Sequence, residues 1–455
     1  MSLTKADERY QIFRDLYRGN VPTRVPVNNP LALDAIVEYA GSSVAEIYWD
    51  ISKAESVFDK ACTDFPADSA PGGTRRYPSF YQLLGSKPFI MGSTGTMQHP
   101  DISGMEVEDY DDFIVCPYDC IIEKILPRLY TELDRDINTR ALALAKALNA
   151  WQAEMAVVGT LGAKIKQKYG FPSIAGSATT APFDFVADFF RGFTGISKDV
   201  RRFPEKVAEA CEAVTPILVK KGKLLVPSEM GSTVIPLHMG PYLRTSDFEK
   251  YYFPTLKKQV EMLSDMGINV QLFVESNYDR FLDYLQDLPE KTILRFEEGD
   301  PRTIKDKLGK KFILAGLYPL SLLIAGSKTE CIDKAKELMD IMAPGGGYIF
   351  DFDKGALNMV GNIAENLRAV LEYVSDNGKY SEAERAGNKE ILPRLNRETE
   401  IISEIDANMN SKYFATWENY KNLHPELYPG LDAVIAPKIM RHENTMFNFI
   451  INLCS

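Results

Sequence analysis

Residues 268–274, INVQLFV, follow Gly267 as an unbroken apolar run that ends on Glu275, Ser276 and Asn277. An amphipathic segment, Asp279–Leu288, comes next, and the alternation then repeats. Thr292–Phe296 (TILRF) predicts a strand and Arg302–Leu308 a short helix. Lys311–Ala315 (KFILA) predicts a strand and Thr329–Met342 a helix. Gly347–Phe350 (GYIF) predicts a strand and Ile363–Val374 a helix. Nearly continuous apolar strands joined to helices by a few residues are the pattern of a parallel sheet covered by helices.

Toward the N-terminus the same pattern is weaker. Val226–His238 contains a strand, and Thr245–Leu263 is helical, with Thr245 or Ser246 as its N-cap. Residues 173–180 (SIAGSATT) predict a buried strand, and APFDFVADFFRG after them a helix. Ile122–Tyr169 is rich in helix formers. Arg24–Asn28 (RVPVN) predicts a short buried strand and Lys5–Arg18 a helix, while the Gly-, Pro- and Ser-rich residues 62–104 predict long loops. About eight strand–helix units fit between residues 20 and 375, which favours a closed barrel over an open sheet. The expected fold is α/β: a (β/α)8 TIM barrel over residues 1–375 with N-terminal helical additions. Residues 376–455 are expected to form a C-terminal helical appendage that packs on the barrel or on a partner subunit, as in a homodimer.

Composition narrows the function. The chain has 455 residues, 45 % hydrophobic and 25 % charged, so it can build a large core. Its 52 Lys+Arg against 63 Asp+Glu give a net charge of −11, which argues against nucleic acid as the principal ligand. No apolar run reaches the ~18 residues of a membrane helix, and MSLTKADERYQIFRDLY lacks the apolar core of a signal peptide. Six scattered cysteines do not make a disulfide framework, so a cytoplasmic setting is expected. Cys116 and Cys120 have no second pair at a matching distance and are not read as a metal knuckle. Neither a nucleophile elbow nor an HExxH helix occurs.

Active sites of parallel barrels lie at the C-terminal ends of the strands. Those ends carry His238, Glu275, Glu297 with Glu298, Tyr318, and Asp351 with Asp353. A polar group aimed into an apolar barrel costs several kcal/mol without a partner, so convergent acids need a cation, a proton or a substrate. The bland alternative is that each acid caps the next helix or pairs with an arginine. Ser276 and Asn277 are better caps than Glu275, which leaves Glu275 free to face the mouth. Alternation turns either Glu297 or Glu298 inward, and Glu297 is preferred. Asp184 and Asp188 sit where first-turn acids commonly serve a helix dipole. His99 lies in a loop before Pro100, and His424 and His442 fall in the appendage, where a structural or exposed place is expected. Gly345–Gly347 reads as a tight turn entering a strand. A set of Glu, His and Asp suits hard-to-borderline divalent metals, zinc among them. The expectation is therefore catalysis by Glu275 and His238, substrate contacts from Tyr318, Asp184 and Asn277, and metal ligation by His238, Glu275, Glu297 and Asp353.

Several motifs recur together: HMGPYLRTSDFEKYYFP at 238–254, LFVESNYDRFLDYLQDLP at 272–289, FEEGDP at 296–301, LAGLYPLSLLIAGSKTE at 314–330 and APGGGYIF at 343–350. With APFDFVADFFRGFTGISKDVRRFPEKV before them, they make the chain resemble the uroporphyrinogen decarboxylase superfamily over about residues 20–380. The closer resemblance is to its corrinoid-dependent methyltransferases, including the methyltransferase I components of O-demethylase systems. That resemblance implies the barrel, and a methyl group moved from a small methylated substrate, such as an aryl methyl ether, to a separate corrinoid protein. Two departures matter. The Arg-rich N-terminal motif that grips porphyrinogen propionates is reduced to the single arginine of RVPVNNPLALDAI. The His-x-Cys zinc pair is replaced by Phe273 and Glu275, and the last cysteine by the DFDKG segment, which implies an oxygen-rich zinc site. No histidine lies in an Asp-x-His-x-x-Gly motif, so cobalt must come from another chain. The competing readings are a decarboxylase or lyase acting on a small carboxylated substrate, and a barrel kept as a non-catalytic scaffold.

Overall fold

The computed structural model describes residues 4–72, 76–172, 176–391, 394–423 and 430–454. The helix Lys5–Tyr17 opens the chain, started by a capping box between Thr4 and Asp7. A two-stranded antiparallel hairpin, β1 (Ile90–Met91) and β2 (Met97–Gln98), stands in the loop-rich region. The main sheet is parallel and runs in chain order through β3 (Gly176–Ala178), β4 (Ser232–Leu237), β5 (Asn269–Val274), β6 (Ile293–Phe296), β7 (Ile313–Tyr318) and β8 (Tyr348–Phe352).

Two extended segments continue this sheet by single parallel bridges. Val27 pairs with Phe350 and Leu31 with Ala356, and Ala32 pairs with Gly72. The hydrogen bonds Asn28 N to Phe350 O (3.0 Å), Asp68 N to Val27 O (2.8 Å) and Gly72 N to Leu31 O (2.7 Å) hold them. The strand expected at Arg24–Asn28 is thus a bridge segment rather than a ladder. Pro26 and Pro30 explain it, since proline has no N–H to donate. Six strands and two bridged segments make the eight staves of a (β/α)8 barrel.

The helices expected in the second half are present with small shifts at their ends. The segment 245–265 begins at Thr245 with Arg244 as N-cap, so neither Thr245 nor Ser246 caps it. It includes a π-helical turn, Phe248–Tyr252. Gly345, Gly346 and Gly347 all have positive φ (79°, 78° and 65°), so the triple glycine is the turn into β8. The strand read at 173–180 is described only from residue 176.

Burial alternates along β4 and the end of β5, whereas β7 and β8 are buried throughout, and a separate cluster marks the lumen face. Ile293, Ile313, Ala315 and Ile349 form a separate apolar cluster with Met230 and with Phe13, Leu16 and Tyr17 of the first helix. That cluster is the lumen floor, sealed by the N-terminal helix. Residues at two-residue steps above the floor face the same way, and they include Arg295, Glu297, Leu317 and Asp351. Arg24 does not reach the lumen. Its guanidinium grips Asp68 with two hydrogen bonds (2.6 and 2.8 Å) at the N-terminal end of its stave.

Helices Glu398–Asn408 and Asp432–Cys454 pack on the barrel helices. Lys220 of the helix Pro204–Lys221 pairs with Asp406 and lies over the rings of Phe414 (3.9 Å) and Phe447 (4.9 Å). Tyr130 donates to Leu453 O (2.6 Å), and Phe449 packs on Phe80 and Trp151. Among the described residues, no helix is long and apolar enough to cross a membrane. Phe449 is fully buried in the main core, so Phe449→Ala is expected to cost about 3–5 kcal/mol. Denaturant unfolding followed by tryptophan fluorescence checks this. A midpoint unchanged from the parent chain would show that the terminal helix contributes nothing to the core.

Candidate active site

Register sets the geometry of the mouth. Leu237 pairs with Val274, and Val274 with Phe296. The residues that follow, His238, Glu275 and Glu297, therefore leave three neighbouring strands abreast, with strands about 4.8 Å apart. Asp351 lies farther round the same rim, paired with Leu317 across β7 and β8. Two strand ends take a left-handed backbone, Ser276 (φ 60°) and Leu317 (φ 69°). Such strain persists where surrounding contacts fix it, as at a built site.

His238 is half-exposed, and its Nδ1 lies 3.0 and 3.1 Å from the two carboxylate oxygens of Asp188. That contact, with the further charges of Asp184 and Glu275, raises the imidazole to about 9, against an opposing effect of burial. The ring is thus an imidazolium at neutral pH, with Nε2 free of any protein hydrogen bond among the described residues. Asp188 sits in a π-helical turn, Ala187–Arg191, that continues the helix Pro182–Val186. Asp184, one α-turn earlier, is 1 % exposed. It accepts from the backbone N–H of His238 (2.9 Å), that of Met239 (3.0 Å) and the hydroxyl of Tyr252 (2.7 Å). Burial, and then the charge of Asp188, raise it to about 7.

The acids differ in how they are held. Glu297 takes Lys354 Nζ (2.6 Å) on one oxygen and Ser276 N (2.8 Å) on the other. Burial would raise its pKa, but these donors outweigh it and hold it below the usual carboxylate range. Asp351 accepts from Asn28 Nδ2 (2.8 Å) and lies 3.4 Å from Arg295 Nε. Arg295 also stacks on Phe273 (4.6 Å) and donates to Phe352 O (3.0 and 3.2 Å). Asp353 accepts from Leu320 N (3.0 Å) and Lys354 N (2.7 Å), and burial raises its pKa. Glu275 stands apart. It is half-buried and, among the described residues, its carboxylate accepts no hydrogen bond. Burial raises its pKa, as do Glu297 and Asp188, while His238 and Arg295 oppose the rise.

Several expectations are corrected. Tyr318 does not reach a substrate: it lies on the outward face of β7, fully buried, and donates to Cys331 O (2.9 Å). Asp184 has both oxygens committed inside the protein. Asn277 is exposed and folds back on its own turn, accepting from Asp279 N (2.9 Å). The zinc set does not converge either, because Glu297 is ion-paired and Asp353 is bound to two backbone N–H groups. Among the described residues, no three His, Cys, Asp or Glu side chains group as metal ligands. His238 and Glu275 alone fall short of the three protein ligands of a zinc enzyme. All six cysteines are buried, so no thiolate faces the mouth. Asp188 was passed over as a first-turn acid; its four-residue spacing from Asp184 was the signal that both share a helix face. Arg295 and Lys354 were missed because each is identified only by its partner across the barrel. His99 stacks between Phe89 (4.8 Å) and Phe189 (5.5 Å), and burial and Arg76 lower its pKa. His442 is exposed, and His424 lies outside the described residues.

Only four histidines occur, so the His238 titration can be followed by NMR with histidine-selective labelling. Its midpoint is expected near 9 in the parent chain and lower by roughly 1–2 units in Asp188→Asn. The raised value means that the His238–Asp188 contact stabilises the fold fully below the ordinary imidazole value of ~6.5, and that this is lost as pH rises through about 9. A His238 midpoint that is the same in Asp188→Asn would remove the pair from the site.

The profile of the family described as Uroporphyrinogen decarboxylase (URO-D) matches residues 135–376. No curated protein matches the chain. Among solved structures, a methyltransferase from Methanosarcina mazei superposes with a TM-score of 0.55 at 14 % identity, covering 82 % of this chain and 99 % of that one. At that identity the likeness speaks to fold alone. The family match takes in six parallel strands and every acid of the mouth, over more than half of the chain, and the chain belongs to the Uroporphyrinogen decarboxylase (URO-D) family.

Proposed function

We propose that this protein is a methyltransferase that moves a methyl group from a small methylated substrate, such as an aryl methyl ether, to a separate corrinoid protein. One observation carries the reading: the His238–Asp188 pair stands at the mouth beside Glu275, an acid that accepts no hydrogen bond among the described residues. A half-buried carboxylate without a partner awaits one, and a substrate hydroxyl or amide supplies it. The fold shared with the Methanosarcina mazei methyltransferase is a barrel on which such a reaction is carried, and the reading rests on the site.

An ether oxygen is a poor leaving group, and protonating it as the carbon–oxygen bond breaks lowers the barrier. The reduced cobalt of the corrinoid protein supplies the nucleophile for the methyl carbon. The electron pair of the broken bond stays on oxygen, and His238 Nε2 donates its proton there, giving the free alcohol or phenol. Asp188 holds the ring by Nδ1 and stabilises the imidazolium before transfer. Glu275, abreast of His238 on the next strand, binds a donor group of the substrate and fixes its orientation.

A second reading, a decarboxylase or lyase on a small carboxylated substrate, is favoured by the family's name and by Arg295 in the lumen. The discriminating experiment supplies methylated aryl ethers and carboxylated analogues with and without a reduced corrinoid protein. Methyl transfer predicts product only with the corrinoid protein. Carbon dioxide released from the carboxylated analogue without it would overturn the proposal.

Glu275→Gln is expected to lower the rate by at least ~10²-fold while the fold survives, since an amide keeps the shape but not the charge. With His238 as the acid, the rate should hold at neutral pH and fall as pH rises through about 9. An activity that increases through that range would exclude His238 as the proton donor.

A further inference from the structure

We propose that Asp184 is the positioning residue of His238: seated beneath the loop that follows β4, it holds the ring against Asp188 through the loop's own backbone. The proposal deepens the role given to His238 above. Two consecutive N–H groups, those of His238 and Met239, point at the two oxygens of one buried carboxylate (2.9 and 3.0 Å). Tyr252 donates a third bond (2.7 Å) from a fully buried hydroxyl.

Three donors converge, and only a carboxylate satisfies them all. Asparagine would turn an NH2 toward one backbone N–H, and a hydroxyl offers a single oxygen. Hydrogen bonds to an ionised acceptor are also the stronger ones. No lysine or arginine pairs with Asp184 among the described residues. The groups that face it are Asp188, the phenols of Tyr252 and Tyr278, Cys211 and the charge of the His238 ring, but its hydrogen bonds all come from neutral donors. Burial without a hydrogen-bonded cation is costly, which its raised pKa reflects, and such a cost persists where the group has a task.

The rest of the loop is tied by its carbonyls. Tyr278 donates to Leu237 O (3.3 Å), and its hydroxyl fills the space a Cβ at Gly240 would need, 2.2 Å away. Arg280 Nη2 reaches Pro241 O (2.5 Å) and Leu243 O (2.8 Å). Asp184 is therefore the anchor on the N–H side. Two π-helical turns border this anchor, Ala187–Arg191 carrying Asp188 and Phe248–Tyr252 ending on Tyr252. Such turns recur at functional sites because they re-aim side chains. Helix 182–191 thus delivers two carboxylates to one histidine, Asp184 to the backbone and Asp188 to the ring.

The test uses the full chain labelled with [13Cε1]histidine near pH ~7.5, without substrate, and the His238 signal is assigned by its loss in His238→Gln. Asp184→Asn is expected to move or split this signal toward that of an unconstrained histidine, as Asp188→Asn does directly. Ile235→Ala, on the outward face of β4, controls for simple destabilisation and should lower the melting temperature without moving the signal. A folded Asp184→Asn whose His238 signal coincides with the parent's would overturn the proposal. Should Asp184→Asn fail to fold, Tyr252→Phe decides, since it removes one bond and keeps the ring. A smaller displacement in the same direction supports the assignment, and coincidence with the parent overturns it. The readout needs no methyl donor, so displaced signals in a chain that transfers no methyl group would reject the function and leave this assignment standing.

Discussion

The pairing of Leu237 with Val274, and of Val274 with Phe296, is what the rest of this site depends on. Once three parallel strands run in that register, the residue after each must emerge abreast of its neighbours at the same end of the barrel. Here those residues are an imidazole and two carboxylates, crowded above an apolar lumen. The cost of that crowding is met locally and differently at each position. Glu297 is neutralised by Lys354, Asp351 pairs with Arg295 and accepts from Asn28, and His238 takes Asp188. Glu275 is left over. The asymmetry is informative, because a barrel built only for stability has no reason to keep one half-buried acid unpaired when its neighbours are so well served.

Much of this was legible in the sequence. Apolar runs such as INVQLFV and TILRF, ended by acids, located the parallel strands and the rim together, because the physics of burial and the chemistry of the mouth meet at the same residue. Alternation left Glu297 or Glu298 as the inward acid, and the floor residue Ile293 shares the parity of Glu297. What escaped was pairing across the barrel. Tyr318 ends a strand as His238 does, yet its parity puts it outside, against Cys331. Asp188 looks like any helix-start acid until His238 is placed 50 residues later in sequence and 3.0 Å away in space. The first stave reads as a strand at Arg24–Asn28, but Pro26 and Pro30 cut its hydrogen bonds to single bridges.

The four side chains expected to hold zinc do not group as ligands among the described residues, for a related reason. A list of His, Glu and Asp at strand ends fixes chemical type but not occupancy, and two of the four nominated side chains are already bound by protein donors. A carboxylate held by Lys354 or by a backbone N–H is a poorer metal ligand than a free one, since the protein bond must first be broken. The same ledger of donors favours a proton at this mouth. An imidazole raised to about 9 carries its proton through the neutral range, and the field that raises it comes from Asp188, Asp184 and Glu275 together.

Proton and metal solve the same problem, which is to stabilise charge on an oxygen as carbon leaves it. A metal does so with a fixed positive charge and demands several converging ligands. An imidazolium does so with a charge it gives away, and demands one carboxylate to hold it and a rigid loop to aim it. This barrel meets the second set of demands. Tyr278 and Arg280 grip the carbonyl side of the loop after β4, Asp184 grips the N–H side, and Asp188 takes the ring. Those contacts come from the helix that follows β3 and from the segment that follows β5, so the strands on either side of β4 hold the loop between them. The parallel fold that sets the acids abreast also supplies, from its neighbouring crossovers, the groups that aim the histidine.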